Sequence, residues 1–583
     1  MNQNWFEMDD IRRKSFNKSV WIPLRAVYCN EKFGQYAYEG CKEDFFGSGC
    51  IAVPTDKKEF TEKLGWSDIG ISYNHSGSYE DKYLPADIYE DYEGNFIGIH
   101  LVLDQRSISE HQNVWHLHQD IVVTLGLQRE GDIWICPEDG YIEVARLKKD
   151  SNEKPVLLEM KAQYLKDYLC ARNMGIYITS FFSRNAIVSD ASFITWENGE
   201  KHDGVESNRW EGRVIPIHEG GGEQYGGKMA IFHMSRTDID ETDDAPEISG
   251  IPTDENIKSE SWEKPFEGRK LYRIIGEFWR NEWIEPSKYS LKIKGDEVAS
   301  TVFFIIDIEG NKVKGNDLIH SGKWLWFKPD VIMALSHRRG GSLNFYTKNT
   351  GAVACSIGND VHFGINTLGY INVYAKDIGL LPEWQQQIWA GYNITPEGGV
   401  SDELLASQAR AEPADTQAPE TFFARGIELI NEISTEKLNF PLFRPHEITP
   451  DLLNKIHRFR AIDESGLFAL AKDIARLTAD SLDAEAMQKT VSPPKGTKWG
   501  SLKSLENILA SKIKPEIARE ITSALVGVYE LRLADAHLPS SKINEAFKLT
   551  NIDRNLPMIF QAHQMLHSCV SSLFGVLEVL KRW

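Results

Sequence analysis

The sequence predicts a multidomain α+β protein in which a β-rich, mixed N-terminal region precedes an all-α helical bundle. The chain has 583 residues, which is too long for one ordinary core and typical of about three or four domains. In its first part, short alternating apolar runs are separated by Gly, Pro and Asp, a pattern typical of strands joined by turns. In its last part, apolar residues recur every three or four positions, which predicts amphipathic helices.

The first predicted domain, residues 1–205, is a mixture of strands and helices. Residues 110–127 predict an amphipathic helix that ends near a glycine. Further along, a strand at 154–160, a helix at 161–172 and a strand at 175–182 follow one another. The order of these elements predicts a mixed α/β domain.

Composition divides the rest of the chain into four parts. Residues 206–262 are acidic and contain many glycines, which predicts an exposed insertion or linker. Residues 263–395 return to strand patterns and predict a β-rich domain, whose large aromatic side chains we expect mainly in its core. Residues 396–420 are rich in Pro, Ala, Gly and acids and predict a second linker. Residues 421–583 predict a helical bundle, because successive helices with short connections pack in this way.

Charge and cysteine content narrow the class of protein. The formal net charge of −20 argues against a broad electrostatic surface for nucleic acid. The charge is uneven, since residues 421–583 carry 21 basic and 19 acidic side chains. The bundle is therefore the part that repels RNA least. The seven cysteines include no C-x-x-C pair and no apolar run is long enough to cross a membrane, so we expect a protein of the reducing cytoplasm.

The stretch from Pro515 to Pro539 combines a predicted helix with side chains suited to phosphate chemistry. Proline is favoured at the first helical position, and the second proline would stop the helix. One apolar stripe runs along it: Ile517, Ile521, Leu525, Val528 and Leu531. The stripe is followed by Arg532, Asp535 and His537. Arginine is a permanent cation whose fork of donors fits phosphate oxygens, and histidine exchanges protons near neutral pH.

Arg532 and His537, with four residues between them, resemble the signature of HEPN domains. These are small helical bundles that include many metal-independent ribonucleases. The resemblance covers roughly the last quarter of the chain, and Leu533 stands where the family often has a polar residue. It implies that Arg532 and His537 lie at a dimer cleft and cut RNA through its own 2′-hydroxyl group, with no cofactor and no metal.

On this interpretation, Arg532 steadies the scissile phosphate, His537 transfers protons and Asp535 orients one of the two. A two-fold dimer would place two histidines across one cleft, so that one acts as base and the other as acid. The partner would be an RNA substrate such as tRNA or mRNA. The resemblance further implies that the N-terminal region senses a phage-derived or small-molecule trigger in antiviral defence.

A non-catalytic function is the first alternative. In that case the bundle serves for dimerisation and the aromatic strands of the N-terminal region bind a ligand. Arg532 and Asp535 would then form an ordinary i,i+3 ion pair on a helix surface.

A metal-dependent nuclease is the second alternative. Glu159 and Lys161 end a predicted strand just before a helix, and this placement resembles the core of PD-(D/E)xK nucleases. In that family a carboxylate pair holds Mg²⁺ and the lysine orients the attacking water. The second acid could be Glu143 or Asp132.

Two pairs of histidines are further candidates. His116 and His118 diverge on a helix but share a face on a strand, and we expect partly buried polar residues rather than metal ligands. His563 and His567 lie four apart on the final predicted helix. They could line the cleft, but a polar flank of the bundle is the favoured expectation.

Overall fold

A computed structural model describes residues 2–70, 77–79, 82–91, 93–106, 113–205, 207–220, 228–236, 257–265, 268–412, 414–444, 447–532 and 541–583. The chain forms two compact units, which we call unit 1 (Met1–Val298) and unit 2 (Ala299–Trp583). Strands dominate unit 1, while unit 2 combines a smaller sheet with the helical bundle. The predicted α+β class is confirmed.

Unit 1 is built on one large antiparallel sheet. Its strands and ribbons are β1 Trp21–Phe33, β2 Lys42–Pro54, β3 Gly77–Tyr79, β4 Lys82–Leu84, β5 Ile88–Glu90, β6 Phe96–His100, β7 Val102–Arg106, β8 Asn113–Leu117, β9 Gln128–Glu130, β10 Ile133–Cys136, β11 Ile142–Lys149, β12 Pro155–Lys161, β13 Met174–Val188, β14 Glu200–Val205, β15 Asn208–His218, β16 Lys228–Arg236, β17 Ile257–Pro265 and β18 Lys270–Ile284. The main sheet has the order β14-β15-β18-β13-β2-β1-β12-β11-β10-β9, and β5 joins it through β6 and β2. The pairs β3–β4, β7–β8 and β16–β17 form separate ribbons.

Four helices accompany this sheet: α1 Gln3–Glu7, α2 Asp9–Arg12, α3 Gln119–Thr124 and α4 Ala162–Arg172. The predicted strand–helix–strand succession is confirmed by β12, α4 and β13. The helix predicted over residues 110–127 is wrong in part, because residues 113–117 form strand β8. Trp115 and Leu117 are buried while His116 between them is half-buried. The apolar period there is therefore two, as in a strand.

The sheet of unit 1 also includes two strands from segments that composition assigns to other parts of the chain. Strand β15 lies within the predicted insertion, and β18 lies at the start of the predicted β-rich domain. In the structure β18 pairs with β13 on one side and with β15 on the other. Both strands gain backbone hydrogen bonds from distant parts of the chain, which composition alone does not report.

Unit 2 contains eight strands and twelve helices among its described residues. The strands are β19 Phe303–Ile305, β20 Lys312–Lys314, β21 Trp324–Phe327, β22 Ser342–Phe345, β23 Thr350–Ala354, β24 Val361–Ile365, β25 Ile371–Tyr374 and β26 Asn393–Ile394. The helices are α5 Asp330–Ser336, α6 Ala375–Gly379, α7 Glu383–Ala390, α8 Asp402–Ala409, α9 Glu420–Leu438, α10 Thr449–Leu453, α11 Glu464–Leu477, α12 Ala484–Thr490, α13 Ser501–Ala510, α14 Pro515–Leu531, α15 Ser541–Leu549 and α16 Met558–Leu580. Six strands form one antiparallel sheet in the order β22-β23-β24-β25-β21-β26. Among the helices that the structure describes, none is both long and apolar enough to cross a membrane.

The sheet and the bundle of unit 2 share part of one core. Phe459, which follows α10, stacks on Phe345 of β22 with ring centroids 5.9 Å apart and also meets Phe363 of β24. Residues 396–420, predicted as a linker, include helix α8, whose Leu404 is buried. A Cβ atom on Gly364 would lie 2.7 Å from the Cβ of Leu404, so this glycine lets α8 lie directly on β24.

The helical bundle follows the apolar periods of the sequence. On α16 the apolar residues that recur every three or four positions are buried, with Met565, Leu566 and Leu573 fully covered. On α14 the predicted stripe is buried from Leu525 to Leu531, but Ile517 is 45 % exposed. The first turn of α14 buries Ala518 instead, so Ile517 lies on the side of the helix that faces solvent.

Candidate functional site

Helix α14 brings the predicted phosphate-binding arginine to the surface of the bundle. Pro515 occupies its first turn, where the missing backbone N–H costs no helical hydrogen bond. The helix runs for 17 residues and packs against α11, α13, α15 and α16. A Cβ atom on Gly527 would lie 2.7 Å from Cγ2 of Thr550, just beyond α15. This close approach fixes the C-terminal half of α14 against α15.

Arg532 is the C-terminal cap of α14. Its backbone N–H donates to the carbonyl of Val528 at 3.1 Å, so the residue continues the helical turn. Its guanidinium group lies over the ring of Tyr529, with Cζ 4.1 Å from the ring centroid. Its Nη1 donates to Oδ2 of Asp480. The arginine side chain is 21 % exposed and the aspartate side chain 39 % exposed, so the pair lies at the surface within reach of a ligand.

A second arginine, Arg444, contacts the turn that contains Asp480. Arg444 is exposed, and its Nη2 donates to the carbonyl of Asp480 at 3.2 Å while its Nε donates to the carbonyl of Ser481 at 3.4 Å. An antiparallel bridge between Phe443 and Leu482 holds this segment in place. We call Arg444, Asp480 and Arg532 the arginine corner. Two guanidinium groups converge there on one turn, which concentrates positive charge at a point of a bundle that is nearly neutral as a whole.

The other two predicted site residues, Asp535 and His537, lie outside the described residues, as does Leu533. The structure therefore brings Arg532 together with Asp480 and Arg444, and the predicted pairing of Arg532 with Asp535 stays a prediction. Sequence reasoning missed Arg444 and Asp480. No local signal could have found them, because 52 residues separate Asp480 from Arg532 and such a distance gives no periodic pattern.

The arrangement of the arginine corner suits anion binding. Arg532 contacts its carboxylate through one nitrogen, and within the described residues the other N–H groups of its guanidinium make no hydrogen bond. Arginine can make two parallel hydrogen bonds to a phosphate. An RNA phosphate that entered the corner could accept two such hydrogen bonds through its two non-bridging oxygens, whereas Asp480 accepts one.

Histidines 563 and 567 lie on α16 in a different environment. Their rings stack with centroids 6.3 Å apart, and His563 is only 8 % exposed. Burial, and then the nearby charge of Arg458, lowers the pKa of His563 to about 3. A histidine that stays neutral down to such a pH is a poor proton donor at neutral pH. His567 is exposed, as the expected polar flank of the bundle requires, but His563 is buried, so that expectation is wrong for His563.

His563 borders a buried ion pair. Arg458 donates through Nε and Nη2 to the two oxygens of Glu420, at 2.7 and 2.8 Å, and through Nη1 to the carbonyl of Lys348 at 2.7 Å. Burial raises the pKa of Glu420, but Arg458 outweighs this effect, so the net pKa lies below its usual range. His457 lies beside the pair, and burial lowers its pKa to about 4.

The second candidate site, around Glu159 and Lys161, lies on β12 of unit 1. Arg146 of the neighbouring strand donates to Oε1 of Glu159 at 2.5 Å, and Nζ of Lys148 lies 3.8 Å from the same oxygen. Burial lowers the pKa of Lys161, and Glu143 opposes this shift. Glu143 is therefore near Lys161, as a PD-(D/E)xK site would require, but two cations already neutralise Glu159.

The remaining candidate metal ligands have protein partners. Asp132, the other possible acid, pairs with Lys149 at 3.0 Å. His116 and His118 bind Gln105 and Asp87 at 3.0 and 3.2 Å. Across the part of the chain that the structure describes, no group of three or more His, Cys, Asp or Glu side chains is placed to hold a metal ion.

No protein-family model, no curated protein and no solved structure matches the chain.

Proposed function

We propose that the protein is a metal-independent endoribonuclease whose active site lies at the C-terminal end of α14. The observation that carries the proposal is the position of Arg532. It is partly exposed, it is held by one carboxylate oxygen of Asp480, and it directly precedes the segment that carries Asp535 and His537. Arginine and histidine side chains with this spacing fit phosphodiester cleavage.

In the proposed reaction an RNA phosphate replaces the carboxylate of Asp480 beside Arg532. The 2′-oxygen attacks phosphorus while a histidine removes its proton, and the bond to the 5′-oxygen breaks while a second acid donates a proton. The products are a 2′,3′-cyclic phosphate and a 5′-hydroxyl end. Arg532 stabilises the negative charge that develops on the phosphate oxygens, His537 exchanges the protons, and Asp535 orients one of them.

One histidine per chain supplies either the base or the acid. A homodimer through the bundle would bring a second His537 to the same phosphate, so that both roles are filled without a metal. Arg444 would add a contact to the RNA backbone near the cleaved bond. The β-rich part of the chain would sense a trigger, phage-derived or a small molecule, in antiviral defence. The separate core of unit 1 supports a division between a sensing part and a cutting part.

The test is the chemistry of the product ends. Purified protein is incubated with a mixed tRNA and mRNA pool, with and without EDTA, and the ends are analysed. We expect cyclic or 3′-phosphate ends, resistance to EDTA and loss of cleavage in His537→Ala. If RNA stays intact both with and without a phage-derived or small-molecule trigger, the result favours the non-catalytic alternative.

The metal-dependent alternative predicts a different pattern. Cleavage that EDTA abolishes, and that Glu159→Gln or Lys161→Ala removes while His537→Ala does not, would assign the activity to β12. In that case Arg146 would have to release Glu159 before a metal could bind.

A further inference from the structure

Unit 2 has an open depression beside its six-stranded sheet, remote in sequence from the arginine corner. It has a volume of about 330 Å³ and is lined by Ile306, Asp307, Lys323, Trp324, Trp326 and Pro396. Pockets for small molecules typically occupy about 300–1,000 Å³ and combine apolar walls with a few polar groups. We call it the tryptophan pocket.

The two tryptophans in this pocket face outwards because of the pleat of β21. Leu325 and Phe327, the alternate residues, are fully buried in the core of unit 2. Trp324 packs beside Tyr374 with ring centroids 5.3 Å apart. Trp326 is held by a hydrogen bond from Nε1 to the carbonyl of Gly399 at 3.1 Å. Both indoles are therefore fixed and half-exposed, and the sheet does not need their faces for its core.

The pocket has two charged side chains, Asp307 and Lys323, which differ in their hydrogen bonds. Both carboxylate oxygens of Asp307 accept hydrogen bonds from Asn311, from its backbone N–H and its side-chain amide, each at 2.9 Å. Lys323 is exposed, and among the described residues its ammonium group makes no hydrogen bond. Hydrogen bonds from Asn311, and to a smaller extent the charge of Lys323, lower the pKa of Asp307, so the two charged groups of the pocket do interact. The pocket thus presents flat aromatic surfaces, one exposed cation and a carboxylate whose two oxygens already accept hydrogen bonds from Asn311.

We propose that the tryptophan pocket binds a nucleobase together with its phosphate, the base against the indole faces of Trp324 and Trp326 and the phosphate near Lys323. Every base has a π-face that stacks on an aromatic side chain, and a lysine ammonium binds phosphate as a point charge. Such a unit can come from a free nucleotide or from a single RNA strand. The proposal does not depend on Arg532 or on cleavage.

The test is calorimetric titration of the full chain with adenosine, AMP and a six-nucleotide oligodeoxyadenylate. The oligodeoxyadenylate has no 2′-hydroxyl group, so the proposed ribonuclease cannot cut it. We expect AMP or the oligonucleotide to bind, and Trp326→Ala to weaken binding by about tenfold or more. Trp326→Phe keeps a ring and should retain part of the affinity. Circular dichroism checks that the variants fold.

Lys323→Gln tests the phosphate half separately and alters an exposed side chain. We expect it to weaken AMP binding about three- to fivefold at low salt and to leave adenosine binding unchanged. Lys503→Gln, a lysine of α13 paired with Glu506, is the matched control and should change neither.

The choice of ligands distinguishes a pocket for a free nucleotide from a pocket for an RNA strand. Binding of AMP supports a nucleotide-sensing pocket, and binding of the oligonucleotide alone supports an anchor for an RNA strand. Absence of binding by all three ligands overturns the proposal, as does binding that is the same in wild type, Trp326→Ala and Lys323→Gln. If the chain binds AMP but does not cut RNA, the pocket proposal is supported although the ribonuclease proposal fails.

Discussion

Two arginine–carboxylate pairs of unit 2 have opposite surroundings. The side chains of Arg458 and Glu420 are 0 % and 4 % exposed, and the pair makes two parallel hydrogen bonds. The side chains of Arg532 and Asp480 are 21 % and 39 % exposed and are joined through one nitrogen. Removing one partner of a buried pair leaves a charge without water, whereas an exposed pair is easily exchanged. The same two chemical groups therefore serve structure in one place and remain available for a ligand in the other.

The largest effect should come from breaking the buried pair. Arg458→Met leaves Glu420 without its partner at the start of α9, and we expect the free energy of unfolding to fall by about 3–5 kcal/mol. Urea denaturation measures the change. The double variant Arg458→Met/Glu420→Gln should regain part of the loss, because it removes the uncompensated charge. A single variant as stable as wild type would contradict the structural role.

Breaking the exposed pair should affect catalysis instead of stability. We expect Arg532→Ala to lower single-turnover RNA cleavage by about 10²–10³-fold, the usual cost of losing one group that stabilises the transition state. The free energy of unfolding should change by less than about 1 kcal/mol.

The control for this variant lies on the same helix. Arg519→Ala removes a guanidinium group whose side chain is 75 % exposed and pairs with Glu506 at 3.6 Å. It should leave cleavage unchanged. Equal losses of activity in the two variants would mean that the site is not at the end of α14.

Acid should lower the free energy of unfolding through the two buried histidines, His457 and His563. An unfolded histidine binds a proton below about pH 6.5, whereas the folded pKa values of His457 and His563 are about 4 and about 3. Between these values the unfolded chain binds more protons, so stability is complete above about pH 6.5 and falls as the pH drops towards 4.

Each buried histidine should contribute at most about 1.4 kcal/mol per pH unit to this loss. Urea midpoints measured from pH 7.5 to pH 4.5 check the direction, and His563→Gln should make the dependence shallower. A pH dependence that is identical in the variant would show that His563 does not titrate on unfolding.

The smallest effect should come from removing the carboxylate that pairs with Arg532 while leaving the arginine in place. Asp480→Asn removes the competing carboxylate charge, and we expect RNA to bind a few-fold more tightly at low salt and equally at high salt, because salt screens exposed charges. Binding is measured by fluorescence anisotropy in a His537→Ala background. Glu506→Gln changes the net charge equally and should have no effect. Weaker binding in Asp480→Asn would show that Asp480 positions Arg532 for RNA.

Local sequence patterns predicted the helices of the bundle well. The apolar period of α16 and the proline at the start of α14 act within one turn of the chain, so each can be recognised in a short window. The same reasoning was wrong at residues 113–117. Pairing with β7 gives these residues strand hydrogen bonds and buries Trp115 and Leu117, which a helical interpretation of the window could not anticipate.

The site was predicted in part. Arg532 could be singled out because a chemical motif lies within six residues of sequence. Its partner Asp480 and the nearby Arg444 could not, since they come from different segments that meet only when the bundle has packed. The tryptophans of β21 were expected in a core, and only the pleat of the strand shows which residues of β21 turn outwards.

By itself the sequence determined the α+β class, the helical character of the last part and the chemistry carried by Arg532, because propensity, period and side-chain type are local properties. The tertiary structure decided which charges are buried, which carboxylate pairs with Arg532 and how two tryptophans come to form one pocket. Burial and partner choice depend on contacts between residues far apart in the chain. No short window of sequence contains them.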